Sequence, residues 1–191
     1  PGVTSTQQAP AWVCGSTGPG VEAMVLRQYR ALLERHPRLR LVIVPRHPQR
    51  FDEVAQLIEQ HRFKVVRRSR PVLQPVDAPV QPVVLGDTMG ELRKFYSLAD
   101  VVFVGRTLVD LGPRQHGSDM IEPAALGKPV IVGPFTGNFV EVMRKFVAHE
   151  AMLVAPDEAA LGESVSVLIG SPDQRAFMGM RAQEVVSANQ G

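Results

Sequence analysis

The chain has 191 residues, 45% of them hydrophobic and 21% charged, which suits one compact domain with a sizeable core and excludes the disordered and fibrous classes. Lys plus Arg number 21 against 19 for Asp plus Glu, a balance too mild to demand a nucleic acid partner. A single cysteine, Cys14, excludes an internal disulfide framework and fits a buried structural thiol in a reducing compartment.

Residues 1–10, PGVTSTQQAP, hold turn formers without periodicity and read as a linker, with one domain expected over 11–191. No apolar run approaches the roughly twenty residues that span a bilayer, so the chain is expected to be soluble as it stands. From residue 11 onward, short β-branched runs alternate with stretches of helical period. Strands are expected at 11–15, 40–45, 64–67, 83–85, 101–105, 129–132 and 152–154. Helices are expected at 21–35, 50–61, 90–98, 121–126, 138–149, 158–169 and 172–189. Gly127 and Pro129 mark one helix end, and Ser171 before Pro172 marks a helix start. The basic run 61–70 reads as a solvated helix end and strand flank, a phosphate-facing surface being the alternative. Prolines in 71–82 forbid a regular helix and predict an exposed loop. Continuously apolar middle strands need cover on both faces. The fold predicted is therefore α/β, a Rossmann-like doubly wound parallel sheet.

In such a sheet ligands bind beyond the carboxyl ends of the strands, so the residues after each strand carry the functional reading. Gly15-Ser16-Thr17-Gly18-Pro19-Gly20 opens a helix with unshielded N–H groups. It is an anion site or a plain turn, since neither a P-loop nor GxGxxG fits. In Pro45-Arg46-His47-Pro48 the prolines fix the backbone, and Arg46 offers a fork of donors for phosphate or carboxylate, or is a surface arginine in a turn. Gly86-Asp87-Thr88-Met89-Gly90-Glu91 offers Asp87 or Thr88 as a helix cap and the backbone of Met89 and Gly90 to read the edge of a base.

Gly105 leads into a loop at 110–119 holding Gly112, Pro113, Arg114, His116 and Gly117, of a size that points to function or disorder. Asp119-Met120-Ile121-Glu122-Pro123 then opens a helix, where Glu122 can accept from the vicinal hydroxyls of a ribose or simply complement the helix dipole. After the sixth strand, Asn138 and Glu141 stand one turn apart, Asn138 serving as ligand contact or helix cap. No His or Cys pair has metal-ligand spacing; His116 with Asp119 is a single weak pair in a loop, and metal-independent chemistry is expected. No GxSxG elbow supports a hydrolase.

The ordered strings PRHPQRFDEV, GDTMGELRKFYSLADVVFVG and IEPAALGKPVIVGPFTGNF resemble the Kdo transferases of lipopolysaccharide synthesis over almost the whole chain. The resemblance implies a GT-B fold of two Rossmann-like domains facing a cleft, this chain being the C-terminal half and the N-terminal acceptor domain lying outside it. It implies that Pro45 and Arg46 contact the CMP part of CMP-Kdo, that Met89, Gly90 and Glu91 hold the cytidine, and that Glu122 and its preceding loop serve ribose and phosphate. The expected site is thus Pro45, Arg46, Met89, Gly90, Glu91, Gly105, Asp119, Met120, Ile121, Glu122 and Asn138.

The reaction implied is an inverting transfer of Kdo from CMP-Kdo to a lipid A precursor, at the cytoplasmic face of the bacterial inner membrane and with membrane-surface association of the full protein. No metal or other cofactor is implied. The general base of the family is a carboxylate of the N-terminal domain, so no catalytic residue is expected here, and the domain alone should bind nucleotide without turnover. Where the family shows Gly-Gly-Ser this chain has Gly105-Arg106-Thr107. The loop before Glu122 is several residues longer, Asp119 takes the place of an Asn, and Arg106 and Arg114 can compensate electrostatically.

Two other readings stay open: a GT-B domain for a UDP- or another CMP-sugar, and a non-catalytic nucleotide-binding module. A redox enzyme is disfavoured, since no GxGxxG is followed by an acid about twenty residues on.

Overall fold

The computed structural model describes residues 9–70, 81–112 and 119–190. Seven strands form one sheet: β1 (Ala11–Thr17), β2 (Arg40–Pro45), β3 (Val65–Arg67), β4 (Val83–Leu85), β5 (Val101–Val104), β6 (Val130–Val132) and β7 (Leu153–Val154). Their order across the sheet is β3-β4-β2-β1-β5-β6-β7, with every pairing parallel. The predicted Rossmann-like sheet is therefore present. β1 sits at its centre, with Trp12 between Leu41 and Val101 and Cys14 between Ile43 and Phe103.

The helices are α1 (Val21–Leu32), α2 (Phe51–Gln60), α3 (Leu92–Ser97), α4 (Ile121–Ala125), α5 (Val140–Ala148), α6 (Glu158–Ile169) and α7 (Pro172–Asn189). Strand side chains alternate between faces, and the core accordingly divides in two. One face buries Trp12, Cys14, Leu41, Ile43 and Phe103 against α1, α2 and α6. The other buries Val13, Val102, Val104 and Val130 against Phe95 and Tyr96 of α3, Phe146 of α5 and Val185 of α7. Cys14 is fully buried, and burial followed by the nearby Glu22 pushes its thiol well up, as suits an inert structural cysteine.

Two helix starts behave as the sequence suggests. Ser171 accepts a bond from the Gln174 N–H at 3.2 Å ahead of Pro172, and Asp157 accepts one from Ala160 at 2.8 Å. Other boundaries shift. β1 runs two residues further than expected, through a bulge between Gly15 and Thr17 that keeps it paired to Pro45. The helix expected from Asn138 begins instead at Val140, after a 3-10 turn over Gly137–Phe139. The helix expected from Gly90 begins at Leu92, because Gly90 takes a left-handed φ of 77° that no helix accommodates. Most of 71–82 and residues 113–118, with Arg114 and His116, lie outside the described residues, as do 1–8 of the expected linker.

Candidate functional site

The sheet's topology changes direction at β1: β2 lies on one side of it and β5 on the other. A crevice forms at such a point because the connections leaving the two strands diverge. Close approach here depends on glycine. A Cβ on Gly105 would come within 2.6 Å of the Thr17 Cα, so β5 can leave the sheet against β1 only with glycine there. Both strands then turn left-handed, at Ser16 with φ 53° and at Arg106 with φ 60°. Non-glycine residues in that region store strain and gather at functional sites.

Beside this point lies a hollow of about 100 Å3 lined by Ser16, Val44, Pro45, Arg46, Phe51 and Thr88, together with Met89, Gly90 and Leu92. Pro45, Arg46, Met89 and Gly90, drawn from two distant stretches of sequence, thus meet at one place. Phe51, Val44, Leu92 and the 69% exposed Met89 give the hollow apolar walls. Arg46 stands exposed at its edge, anchored through its backbone N–H to the Thr17 carbonyl at 3.0 Å.

Several expected residues also make contacts within the fold. Glu91 is held by its own loop: its carboxylate accepts from Thr88 at 2.5 Å and from Arg68 at 3.4 Å, with Lys94 at 3.6 Å. Those partners keep its pKa below the usual carboxylate value, the Thr88 bond first among them. Glu91 therefore holds the shape of the loop carrying Met89 and Gly90. Neither Asp87 nor Thr88 caps α3; Asp87 instead accepts from the Ser69 N–H at 2.8 Å and from Arg67 Nε at 2.7 Å, tying the end of β4 to that of β3. Arg67 also reaches Asp52 of α2 at 2.8 Å. The basic run accordingly supplies structural ties at Arg67 and Arg68.

Asp119 turns the chain into α4, accepting from the Ile121 N–H at 2.8 Å. The Met120 side chain is fully buried in the core beneath the sheet, which leaves its backbone as the part that a ligand could meet. Ile121 packs partly against the same core. Glu122 stands in the first turn of α4 and lies close enough to the Tyr96 hydroxyl to help burial raise that group's pKa. Asn138 is exposed and caps nothing, and Glu141 points to solvent and pairs with Arg144 at 3.5 Å. Among the described residues there is no cluster of three His, Cys, Asp or Glu placed to hold a metal.

The sequence pattern missed Ser16, Phe51, Val44 and Leu92 as lining residues. Ser16 had a signal in its place beyond the first strand. The apolar three carried none, being indistinguishable from core.

No protein-family model matches the chain. A 3-deoxy-D-manno-octulosonic acid transferase of Haemophilus influenzae is 39% identical over 186 residues, covering 97% of this chain and 42% of that protein. Another, from Bordetella pertussis, is 37% identical, covering 95% and 42%. The chain thus spans about two fifths of the length of the curated relatives it matches. Among solved structures, the C-terminal CMP-Kdo binding domain of WaaA from Acinetobacter baumannii superposes with a TM-score of 0.84 at 28% identity, over 95% of this chain and 91% of that one. The C-terminal domain of a group 1 glycosyl transferase, LpcC from Francisella tularensis, shares the fold at TM-score 0.66 and 13% identity, over 97% and 90%. Sequence and fold together make the chain a homologue of the 3-deoxy-D-manno-octulosonic acid transferases, matching the C-terminal half of their GT-B architecture.

Proposed function

We propose that this chain is the donor-binding domain of a glycosyltransferase that moves Kdo from CMP-Kdo to a lipid A precursor in lipopolysaccharide synthesis. The observation that carries the reading is the convergence of Pro45, Arg46, Met89 and Gly90 on one hollow beside the point where the sheet changes direction. The cytosine lies in the hollow and is read by the backbone of Met89 and Gly90, while Glu122 accepts from the ribose hydroxyls. Arg46 meets the phosphate, and its guanidinium stabilises the charge that develops as CMP departs, without a metal.

Transfer is inverting. It draws its base from the N-terminal domain, which also holds the lipid acceptor at the cytoplasmic face of the inner membrane. No helix among the described residues is long and apolar enough to cross a membrane.

Calorimetric titration with CMP, against UMP and NAD, tests the reading. Selective CMP binding is expected, with Arg46→Ala and Glu122→Ala each weakening it about tenfold, the loss of one charge-assisted interaction. Equal affinity for CMP and UMP would overturn the donor assignment.

A further inference from the structure

The connection from β2 to α2 carries Arg46 past the end of the sheet, and little of it is buried: Arg46, Pro48 and Gln49 are exposed and His47 is half-buried. A short exposed turn is not held by packing, so its shape depends on where it is tied down. Hydrogen bonds tie it at both ends. At one end the Arg46 N–H donates to the Thr17 carbonyl at 3.0 Å. At the other, both terminal nitrogens of the Arg50 guanidinium donate to the Glu22 carboxylate, at 2.8 and 3.0 Å. Between them Pro48 locks φ, and the Arg50 N–H closes the turn on the His47 carbonyl at 3.0 Å.

Both ties run to the same neighbour. Thr17 ends β1 and Glu22 stands in the first turn of α1, so they pin the turn against the β1–α1 connection, which supplies Ser16 to the wall of the hollow. The Glu22 side chain is 1% exposed and that of Arg50 14%. A buried ion pair is weak support for stability, because taking both charges out of water offsets most of their attraction. Its bidentate form does something else: two parallel bonds fix the plane of the guanidinium as well as its distance. A third bond, from Arg50 Nε to the Glu53 carboxylate at 3.0 Å, orients the same group on α2. α2 does not depend on that tie, since Val54, Ala55 and Ile58 bury it against the sheet, and Phe51 takes its place in the wall from this packing. What depends on the pair is the turn ahead of α2, with Arg46 on it.

We propose that Glu22 and Arg50 are positioning residues for the nucleotide site: without touching the ligand, they hold the β2–α2 turn in the shape that keeps Arg46 at the hollow. This rests on the donor-binding reading for the identity of the ligand, and the experiment separates the two. CMP, UMP and inorganic pyrophosphate are titrated into wild type, Arg46→Ala, Arg50→Lys and the Arg46→Ala/Arg50→Lys double variant. Lysine keeps the charge and loses the fork. Arg50→Lys should bind CMP about tenfold more weakly than wild type, but less than about twofold more weakly where Arg46 is already replaced, because its effect passes through Arg46. The Glu22→Met/Arg50→Met variant replaces the pair with apolar side chains. It should unfold at no lower urea concentration than wild type and still lose about tenfold in CMP affinity.

Wild-type CMP affinity in Glu22→Met/Arg50→Met, or a loss in Arg50→Lys of equal size with and without Arg46, overturns the positioning role and leaves the donor reading intact. Equal wild-type affinity for CMP and UMP overturns the donor reading. A pyrophosphate loss in Arg50→Lys that disappears in the Arg46→Ala background then keeps the pair in its role, and a loss of equal size in both backgrounds removes it.

Discussion

Tyr96 brings its hydroxyl against the end of β1, in the space left by Gly15, where any Cβ would collide with the ring and its oxygen. The side chain is 1% exposed, and although the Ser16 side chain lies close enough to lower its pKa, the hydroxyl makes no hydrogen bond of full geometry among the described residues. Burial first, then the Glu122 carboxylate, raise its pKa, so it stays a neutral phenol at any ordinary pH. A buried, unsatisfied hydroxyl costs about 1–3 kcal/mol, and its removal with the ring kept is neutral or favourable. Tyr96→Phe should therefore leave the free domain as stable as before or up to about 1 kcal/mol more stable in urea unfolding. A clear loss would show that the oxygen finds a partner in solution. At this scale the sequence marks Arg46 as following a strand and Glu122 as opening a helix, and the structure has both at those positions. The sequence carried no sign that Met120, two residues before Glu122, turns its side chain into the core.

Elements are joined at the sheet's edge by charge as well as by packing. Asp87 collects Ser69 and Arg67 from the end of β3, and Arg67 in turn reaches Asp52 of α2. Burial alone would push the Asp87 carboxyl up, but the bonds from Ser69 and Arg67 outweigh it and hold it below its ordinary value of 3.8. A carboxylate depressed by folding adds stability that is complete above the unfolded-state pKa and is lost as pH falls through the folded one. Unfolding free energy should thus drop below about pH 4. Asp87→Asn should start lower at pH 7, by about 1–3 kcal/mol, and show a shallower acid limb. Equal acid limbs for variant and wild type would remove Asp87 from this role. The sequence predicts all seven strands and all seven helices, with displaced ends, because apolar runs and cap residues mark them. The pairing of Asp87 was hidden, since an acid three residues ahead of a helix pattern also fits a cap, and the choice was made by Arg67, twenty residues away in sequence but hydrogen-bonded to Asp87 in the fold.

As a whole, the molecule offers a single wall. Its hollow of about 100 Å3 is small beside the ~300–1,000 Å3 of pockets that enclose a small molecule, and Met89 at its lip is 69% exposed. A nucleotide seated there keeps its sugar in water. Glycosyl transfer, however, needs water excluded and a base aligned with the acceptor hydroxyl. The parallel sheet was legible from sequence because it follows from alternating apolar runs; its strand order and the shallowness of the hollow were not, since the hollow depends on how far apart the loops beyond β2 and β4 stand in space. Binding and turnover should therefore separate. CMP at about one hundred times its dissociation constant should add about 2.7 kcal/mol, lifting the melting temperature by roughly 5–10 °C. The same protein given CMP-Kdo and a lipid A precursor should form no glycosylated product above background. If the chain alone transferred Kdo, a base within it would be doing the work and the assignment of that role to the other domain would be wrong. With a melting shift and no transfer, the donor is held here and the chemistry is completed by the opposing wall.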